Sequence, residues 1–450
     1  MGAYYYDDLT ALQARPLTVA ERYTAAPTTP GFQRVREVAQ ALSVGLILND
    51  DRIAWGDCVA VEFSGKAGRH PLFRADEGLL TIQRVVAPAL RHRRLTSFRE
   101  LAAEVDAMVE SATISQPLEK DGSAVEGTKT LSRRELFRLL RPGEEGETPQ
   151  APEIEEVTVE RRLHTAIRYG VSQALLAAVA LTRGITMAEV VAEEYDLPTP
   201  GQPVPIHAQC GADRYAGADK MIARRVASLP HTLVDNIPEH LGDDGEVLLG
   251  YARWLRERIP QLAGDDYKPT IHLDVHGALG HIYTNNLGLI LSYLIRLEKA
   301  AAPYPLRVES PLILDSRAAQ IDAMRTLRDY IRFRKLGVKL VADEWANTLE
   351  DIQAFIEAGA ADMIQVKMPD LGSIHNSIQA VLACKAGGVG AFLGGSCAET
   401  DLSARVAVHV ALATRPDMMM AKPGMGVDEG VSLFHNEMAR TLAWIRLRQD

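Results

Sequence analysis

From about residue 163 onward, short apolar or β-branched runs alternate with helical segments, and this regularity constrains the fold more than any other feature. The runs are VPIHAQ, TIHLDV, LRVES, KLVADE, MIQVK, GAFLGGS and MMMAKP. Strands that alternate with helices build a parallel sheet, because a parallel neighbour can be reached only through a crossover. Several runs end on a polar residue, namely Asp274, Glu309, Asp343, Lys367 and Ser396, at intervals of roughly 24 to 35 residues, about one βα unit each. The spacing predicts a modified (β/α)8 barrel of the TIM type over residues 161–450, with these side chains converging at the mouth formed by the strand carboxyl ends.

The first 160 residues read differently. VGLILND and IAWGDCVAVEF flank the turn signal Asn49-Asp50-Asp51 and predict a hairpin. Helical periodicity follows from about Leu80 to Val109, so this part is expected to be a small α+β domain. Between about residues 111 and 157, EKDGSAVEGTK and RPGEEGETPQAPEIEE are rich in Gly, Pro and charge and poor in core residues, the composition of a loop or insertion. Within it, SRRELFRLL has the pattern of one short helix, with Ser132 as cap and Glu135 at the capping-box position.

Composition narrows the function. Of 450 residues, 47% are hydrophobic and 24% charged, enough apolar material for large cores. A net charge of −10 argues against a nucleic-acid partner, which needs clustered Lys and Arg. Cys58, Cys210, Cys384 and Cys397 lie far apart and form no disulfide or zinc spacing. The acidic N-terminus lacks the apolar core of a signal peptide, and the longest apolar stretch is too short to span a bilayer, so a cytoplasmic protein with no membrane partner is expected.

Asp274, Glu309 and Asp343 bring three carboxylates to one cleft. Their mutual repulsion is relieved by a divalent cation, and all-oxygen ligands favour magnesium or manganese over zinc. Lys367 sits one strand further on, at the end of an apolar run. Burial and a nearby cation lower the pKa of such a lysine and make it a general base. The chemistry implied is removal of a proton from carbon next to a carboxylate, a pairing of lysine and magnesium known for enolase-type sites. Cys397 and Cys210 have no neighbouring histidine signature for a nucleophilic thiol, and GGVG does not follow the dinucleotide fingerprint.

The runs RLHTAIRYG, MAEVVAEEYD, ADRY, VADEW, QVKMPDLG, GGSC and AKPGMGVDEG, in that order and spacing, resemble the methylaspartate ammonia-lyase family of the enolase superfamily from about residue 33 onward. The resemblance implies Mg2+ held by Asp274, Glu309 and Asp343, with Lys367 as the base that takes the C3 proton of an L-threo amino diacid. It gives His231 the contact with the metal-bound carboxylate and the role of second base for the opposite C3 epimer. Gln365 is implied to hold the β-carboxylate, and Gln209, Ser396 and the backbone N–H of Cys397 the α-carboxylate. It also implies that the first domain caps the mouth through the loop Ser64 to Phe73, and that the enzyme is a homodimer using a monovalent cation, potassium.

The sequence departs from that family where it lines the amine and methyl pockets. Gln, Phe, Tyr and Leu are usual there, and this chain carries Glu62, His207, Phe392 and Met420. The change predicts a more polar substrate than 3-methylaspartate, and it predicts a hydrogen-bonding or cationic partner for Glu62, since a lone carboxylate in a closed pocket is costly. Two rival readings share the acids and the lysine: a racemase or dehydratase of the same superfamily, and a binding protein that has lost its chemistry.

Overall fold

A computed structural model describes residues 2–15, 17–117, 154–210, 213–422 and 424–448. The chain forms two compact units, one of Met1–Met108 with Leu163–Asp450 and one of Val109–Arg162.

The larger unit opens with strand β1 (Gly2–Asp7), paired antiparallel with β2 (Arg36–Gln40). β3 (Leu42–Ile47) and β4 (Ile53–Cys58) form the expected hairpin, with Asp51 in the left-handed region at φ 64° and the Arg52 N–H donating to Asp50 Oδ1 at 3.2 Å. The predicted helical stretch is interrupted. Helix runs over Ala75–Thr81, a π turn over Ile82–Val86 and helix again over Ala87–Leu90; a new helix, Phe98–Ala107, begins behind the Ser97 cap. The intervening Arg91-His92-Arg93-Arg94 offers no apolar side chain to bury, and His92 turns left-handed at φ 62°.

β4 packs on the long helix Thr165–Arg183 by backbone contact. A Cβ at Gly56 would lie 2.0 Å from the Gly170 carbonyl oxygen, and a Cβ at Gly170 would lie 2.4 Å from the Cys58 nitrogen, so both sites require glycine.

The smaller unit is the antiparallel pair β5 (Val109–Pro117) and β6 (Ile154–Arg162), in register from Val109 opposite Arg162 to Pro117 opposite Ile154. The flanks read from composition as loop are therefore strand: a two-stranded ladder satisfies its backbone groups without needing an apolar core, so a charged composition does not forbid it. The expected helix SRRELFRLL lies outside the described residues.

The barrel consists of β7 (Ile206–His207), β8 (Ser228–His231), β9 (Thr270–Asp274), β10 (Leu306–Glu309), β11 (Lys339–Ala342), β12 (Met363–Lys367), β13 (Gly390–Gly394) and β14 (Met418–Met420). All pair in parallel, and the ring closes where β14 meets β7. Seven of these strands are the seven runs of the sequence. β8 escaped notice because Pro230 cannot donate to a ladder and breaks the strand pattern. Side chains alternate along each strand, so every second residue faces the barrel interior. Val341, Met363, Phe392, Met418 and Met420 form one buried apolar layer there. Two residues further along the same faces lie Asp343, Gln365 and Gly394, and then Lys367, which is how an apolar interior gives way to a polar mouth. Among the described residues, no single helix is long and apolar enough to cross a membrane.

Candidate active site

A narrow cleft opens at the carboxyl ends of the strands. Of the residues picked out from sequence, it is lined by Glu62, Gln209, His231, Asp274, Asp343, Gln365, Lys367, Ser396, Cys397 and Met420. Glu309 lies just beneath, fully buried, with its oxygens accepting from His272 Nε2 at 2.7 Å and Gln365 Nε2 at 2.5 Å. His207 and Phe392 are also fully buried and do not line the cleft; their rings meet behind it at 5.3 Å. The backbone explains the convergence: Asp274, Glu309 and Lys367 are the last residues of β9, β10 and β12, and Asp343 is the first residue beyond β11.

Burial, and then repulsion from neighbouring carboxylates, push Asp274 and Glu309 well above the ordinary carboxylate range. Asp343 differs. Burial raises it too, but Lys367 and Arg69 outweigh that and bring it down to about 2. Lys367 Nζ donates to Asp343 Oδ2 at 2.6 Å and Arg69 Nη2 to Asp343 Oδ1 at 3.2 Å. Sequence reasoning expects a lowered lysine pKa. Burial does push Lys367 down, yet the Asp343 carboxylate more than offsets it, and the group sits above its usual value. His231, left-handed at φ 60°, is held at about 3 by burial and then by Lys367, so it is a neutral acceptor. Its Nε2 is 3.4 Å from Asp274 Oδ2, and its Nδ1 is 3.9 Å from Glu309 Oε2. One donor atom from each of His231, Asp274 and Glu309 lies within 4.8 Å of the others, a spacing a single cation can bridge. Buried acids pushed upward by each other's charge, with oxygen donors dominating, fit a hard divalent ion.

The loop that sequence marks as the closing element lies on the barrel. Arg69 is 2.8 Å from Asp370 Oδ2 and 3.7 Å from Glu344 Oε1 as well as bonded to Asp343, and Asn347 Nδ2 donates to the Ala67 carbonyl at 2.6 Å. Arg69, Glu344, Asp370 and His276, whose Nδ1 is 3.2 Å from Glu344 Oε1, went unremarked in the sequence. A signal was there: VADEW and QVKMPD add two acids beside the three already counted, with Lys367 their single cation, so a further buried cation was required. Glu62 has its partner in the Cys397 thiol, which donates at 2.7 Å, and its own N–H donates to Ser396 Oγ at 3.1 Å. Lys422, in the run AKPGMGVDEG, is buried and paired with Glu399 at 2.6 Å, a structural tie.

A closed eight-stranded α/β barrel carries acids at the ends of β9 and β10 and just beyond β11, a lysine at the end of β12 and an N-terminal loop over the mouth, and a muconate cycloisomerase variant, 12% identical with TM-score 0.53, shares the fold. The chain matches the family described as Methylaspartate ammonia-lyase N-terminus over residues 1–121 and 140–196, and Methylaspartate ammonia-lyase C-terminus over residues 199–447. Methylaspartate ammonia-lyase 2 of Carboxydothermus hydrogenoformans is 44% identical over 448 residues, covering 100% of this chain and 97% of the relative. The crystal structure of β-methylaspartase from Clostridium tetanomorphum, a magnesium complex, is 39% identical with TM-score 0.81, covering 100% of this chain and 97% of that one. The Citrobacter amalonaticus enzyme, solved containing (2S,3S)-3-methylaspartic acid, is 39% identical with TM-score 0.84, covering 99% and 97%. The chain belongs to the methylaspartate ammonia-lyase family and is a carbon–nitrogen lyase.

Proposed function

We propose that the protein eliminates ammonia from a 3-substituted aspartate to give a fumarate-type diacid, using Mg2+ held by Asp274, Glu309 and Asp343. The observation that carries this is the 2.6 Å contact between Lys367 and Asp343 inside a cleft that also holds Asp274, because it joins the general base to the cation ligands. Magnesium, when bound, supplies positive charge to a substrate carboxylate as electrons move onto it. With its carboxylate given over to a cation, Asp343 would hold the Lys367 proton less tightly, leaving Nζ as the base for the C3 proton. His231, neutral on the other ligands' side, serves the opposite C3 epimer. Gln365 orients the β-carboxylate, and Gln209, Ser396 and the Cys397 N–H orient the α-carboxylate. The region before residue 161 acts as the cap, with Arg69 fixing its loop over the mouth and keeping water from the reacting carbon. Homodimer formation and potassium use rest on the family resemblance, and a cytoplasmic location rests on four dispersed cysteines that fit a reducing compartment.

Glu62 bears on the substrate. Burial first, and Asp7 second, push its carboxyl from 4.5 up to about 8, so near neutral pH it is a hydrogen-bond donor as well as an acceptor at the cleft wall. That favours an aspartate with a polar C3 or N substituent over 3-methylaspartate. The test is ammonia release from 3-methyl-, 3-hydroxy-, 3-amino- and N-substituted aspartates, with magnesium and after EDTA treatment and dialysis. Release that needs the metal and is fastest on a polar analogue is expected. Full activity without a divalent ion defeats the mechanism, proton exchange at C3 with no ammonia from any of them favours a racemase, and a kcat/KM highest for 3-methylaspartate defeats the substrate assignment.

A further inference from the structure

Behind the cleft, three neighbouring strands bring three imidazoles together. In the register of β7, β8 and β9, His207 lies opposite Ser228, His231 opposite Leu273, and His272 opposite Pro230. The ring centroids of His207 and His231 are 5.3 Å apart, those of His207 and His272 4.6 Å, and those of His231 and His272 5.9 Å. All three are buried, and one ring nitrogen from each lies within 4.8 Å of those from the other two.

The six ring nitrogens divide evenly. His207 Nδ1 is 3.0 Å from Ser228 Oγ, His272 Nε2 is 2.7 Å from Glu309 Oε2, and His231 Nε2 is 3.4 Å from Asp274 Oδ2. The remaining nitrogen of each ring, His207 Nε2, His231 Nδ1 and His272 Nδ1, is buried without a hydrogen-bond partner. Interiors rarely leave such atoms unsatisfied, and each of these three neighbouring rings carries one. An imidazole that binds metal typically has its second nitrogen anchored to a carboxylate or other oxygen, which fixes tautomer and ring direction. Here that anchoring occurs at each ring, and two of the anchors, Asp274 and Glu309, are carboxylates able to balance a buried positive charge.

We propose that His207, His231 and His272 form a second cation site, for an imidazole-seeking divalent ion such as Zn2+ or Co2+, adjoining the oxygen-donor site, with His231 beside two of that site's carboxylates. Nitrogen donors select zinc, cobalt, nickel or copper, whereas magnesium takes oxygen, so the two sites differ in the ion they choose. Zn–N bonds of about 2.0–2.1 Å in tetrahedral geometry place ligand nitrogens about 3.4 Å apart, so each ring closes in by under about 1 Å. One consequence rests on the role given to His231 above: an ion held here withdraws that imidazole from substrate and lowers turnover of the epimer it serves. The site itself does not depend on that role.

The test uses the full chain stripped with EDTA and kept in excess Mg2+, titrated with Co2+. One equivalent is expected to bind with the intense visible absorption of a low-coordinate, nitrogen-ligated cobalt, and Zn2+ displaces it mole for mole. His207→Phe, which keeps a flat ring against Phe392, is expected to lower Zn2+ affinity by about 100-fold or more, and Ser228→Ala by about 10-fold through loss of the anchor. X-ray absorption of the zinc-loaded unaltered chain, expected to give imidazole scatterers, keeps the proposal decidable if a variant misfolds. No cobalt bound above excess magnesium, an all-oxygen zinc shell, or undiminished affinity in a folded His207→Phe chain overturns it. Ammonia release in these experiments bears on the lyase reading and on the role of His231, and decides nothing about the site itself.

Discussion

Replacing Glu62 with glutamine isolates one ionisation in the cleft. The unfolded chain releases this proton near 4.5, and the folded chain holds it up to about 8 because burial, then the Asp7 carboxylate, disfavour the anion. Below 4.5 both states are protonated and the residue has no electrostatic effect on folding. Between 4.5 and 8 the unfolded state has given up a proton that the native state keeps, so stability falls as pH rises, and above 8 the loss is complete. A gap of about 3.5 units at ~1.4 kcal/mol each caps the effect near 5 kcal/mol. Glu62 is only partly buried, and solvent reaching it reduces the expectation to about 2 kcal/mol. The measurement is urea unfolding of the unaltered chain and Glu62→Gln from pH 5 to 9 at one fixed magnesium concentration. The variant is expected to gain on the parent up to about pH 8 and to hold a constant advantage above it. Two stability curves that run parallel refute the assignment of the raised carboxyl to Glu62.

Lys367→Ala is expected to cut ammonia release by about 10²- to 10⁴-fold with Mg2+ affinity nearly retained, and near-normal turnover removes Lys367 from the mechanism. Arg69→Met leaves Asp370 and Glu344 without their arginine and Asp343 with Lys367 alone, and is expected to cost about 3–5 kcal/mol; an unchanged thermal midpoint refutes the role of this cluster. Gly170→Ala drives a methyl into the backbone of Cys58 and is expected to lose about 3 kcal/mol or more in denaturant unfolding, and a loss below 1 kcal/mol contradicts the close packing of β4 on its helix.

The barrel was legible because its strands are short, apolar and evenly spaced, and because a polar residue at a strand end stands out against such a run. Asp274, Glu309 and Lys367 close their strands as read. What escaped was non-local. Nothing near Arg69 in sequence says that it crosses to Asp343 and Asp370, some 270 to 300 residues away. His207 was read as a pocket wall from its place in the family pattern, and its ring lies instead against His272 and Phe392, because it sits one layer deeper in the barrel than Gln209, which lines the cleft. β5 and β6 were hidden by composition, since backbone pairing leaves no mark in a charged, Pro-flanked segment.

The chain leaves the larger unit at Met108 and returns at Leu163, and the Leu163 N–H donates to the Met108 carbonyl at 3.1 Å. The two ends of this excursion are therefore neighbours, and the intervening stretch contributes nothing to the distance the main fold must bridge. Lengthening or shortening it alters only a slowly varying closure entropy. The junction is a permissive splice point: a short turn joining residue 108 to 163, or a different domain carried between them, meets a framework whose endpoints are already in register.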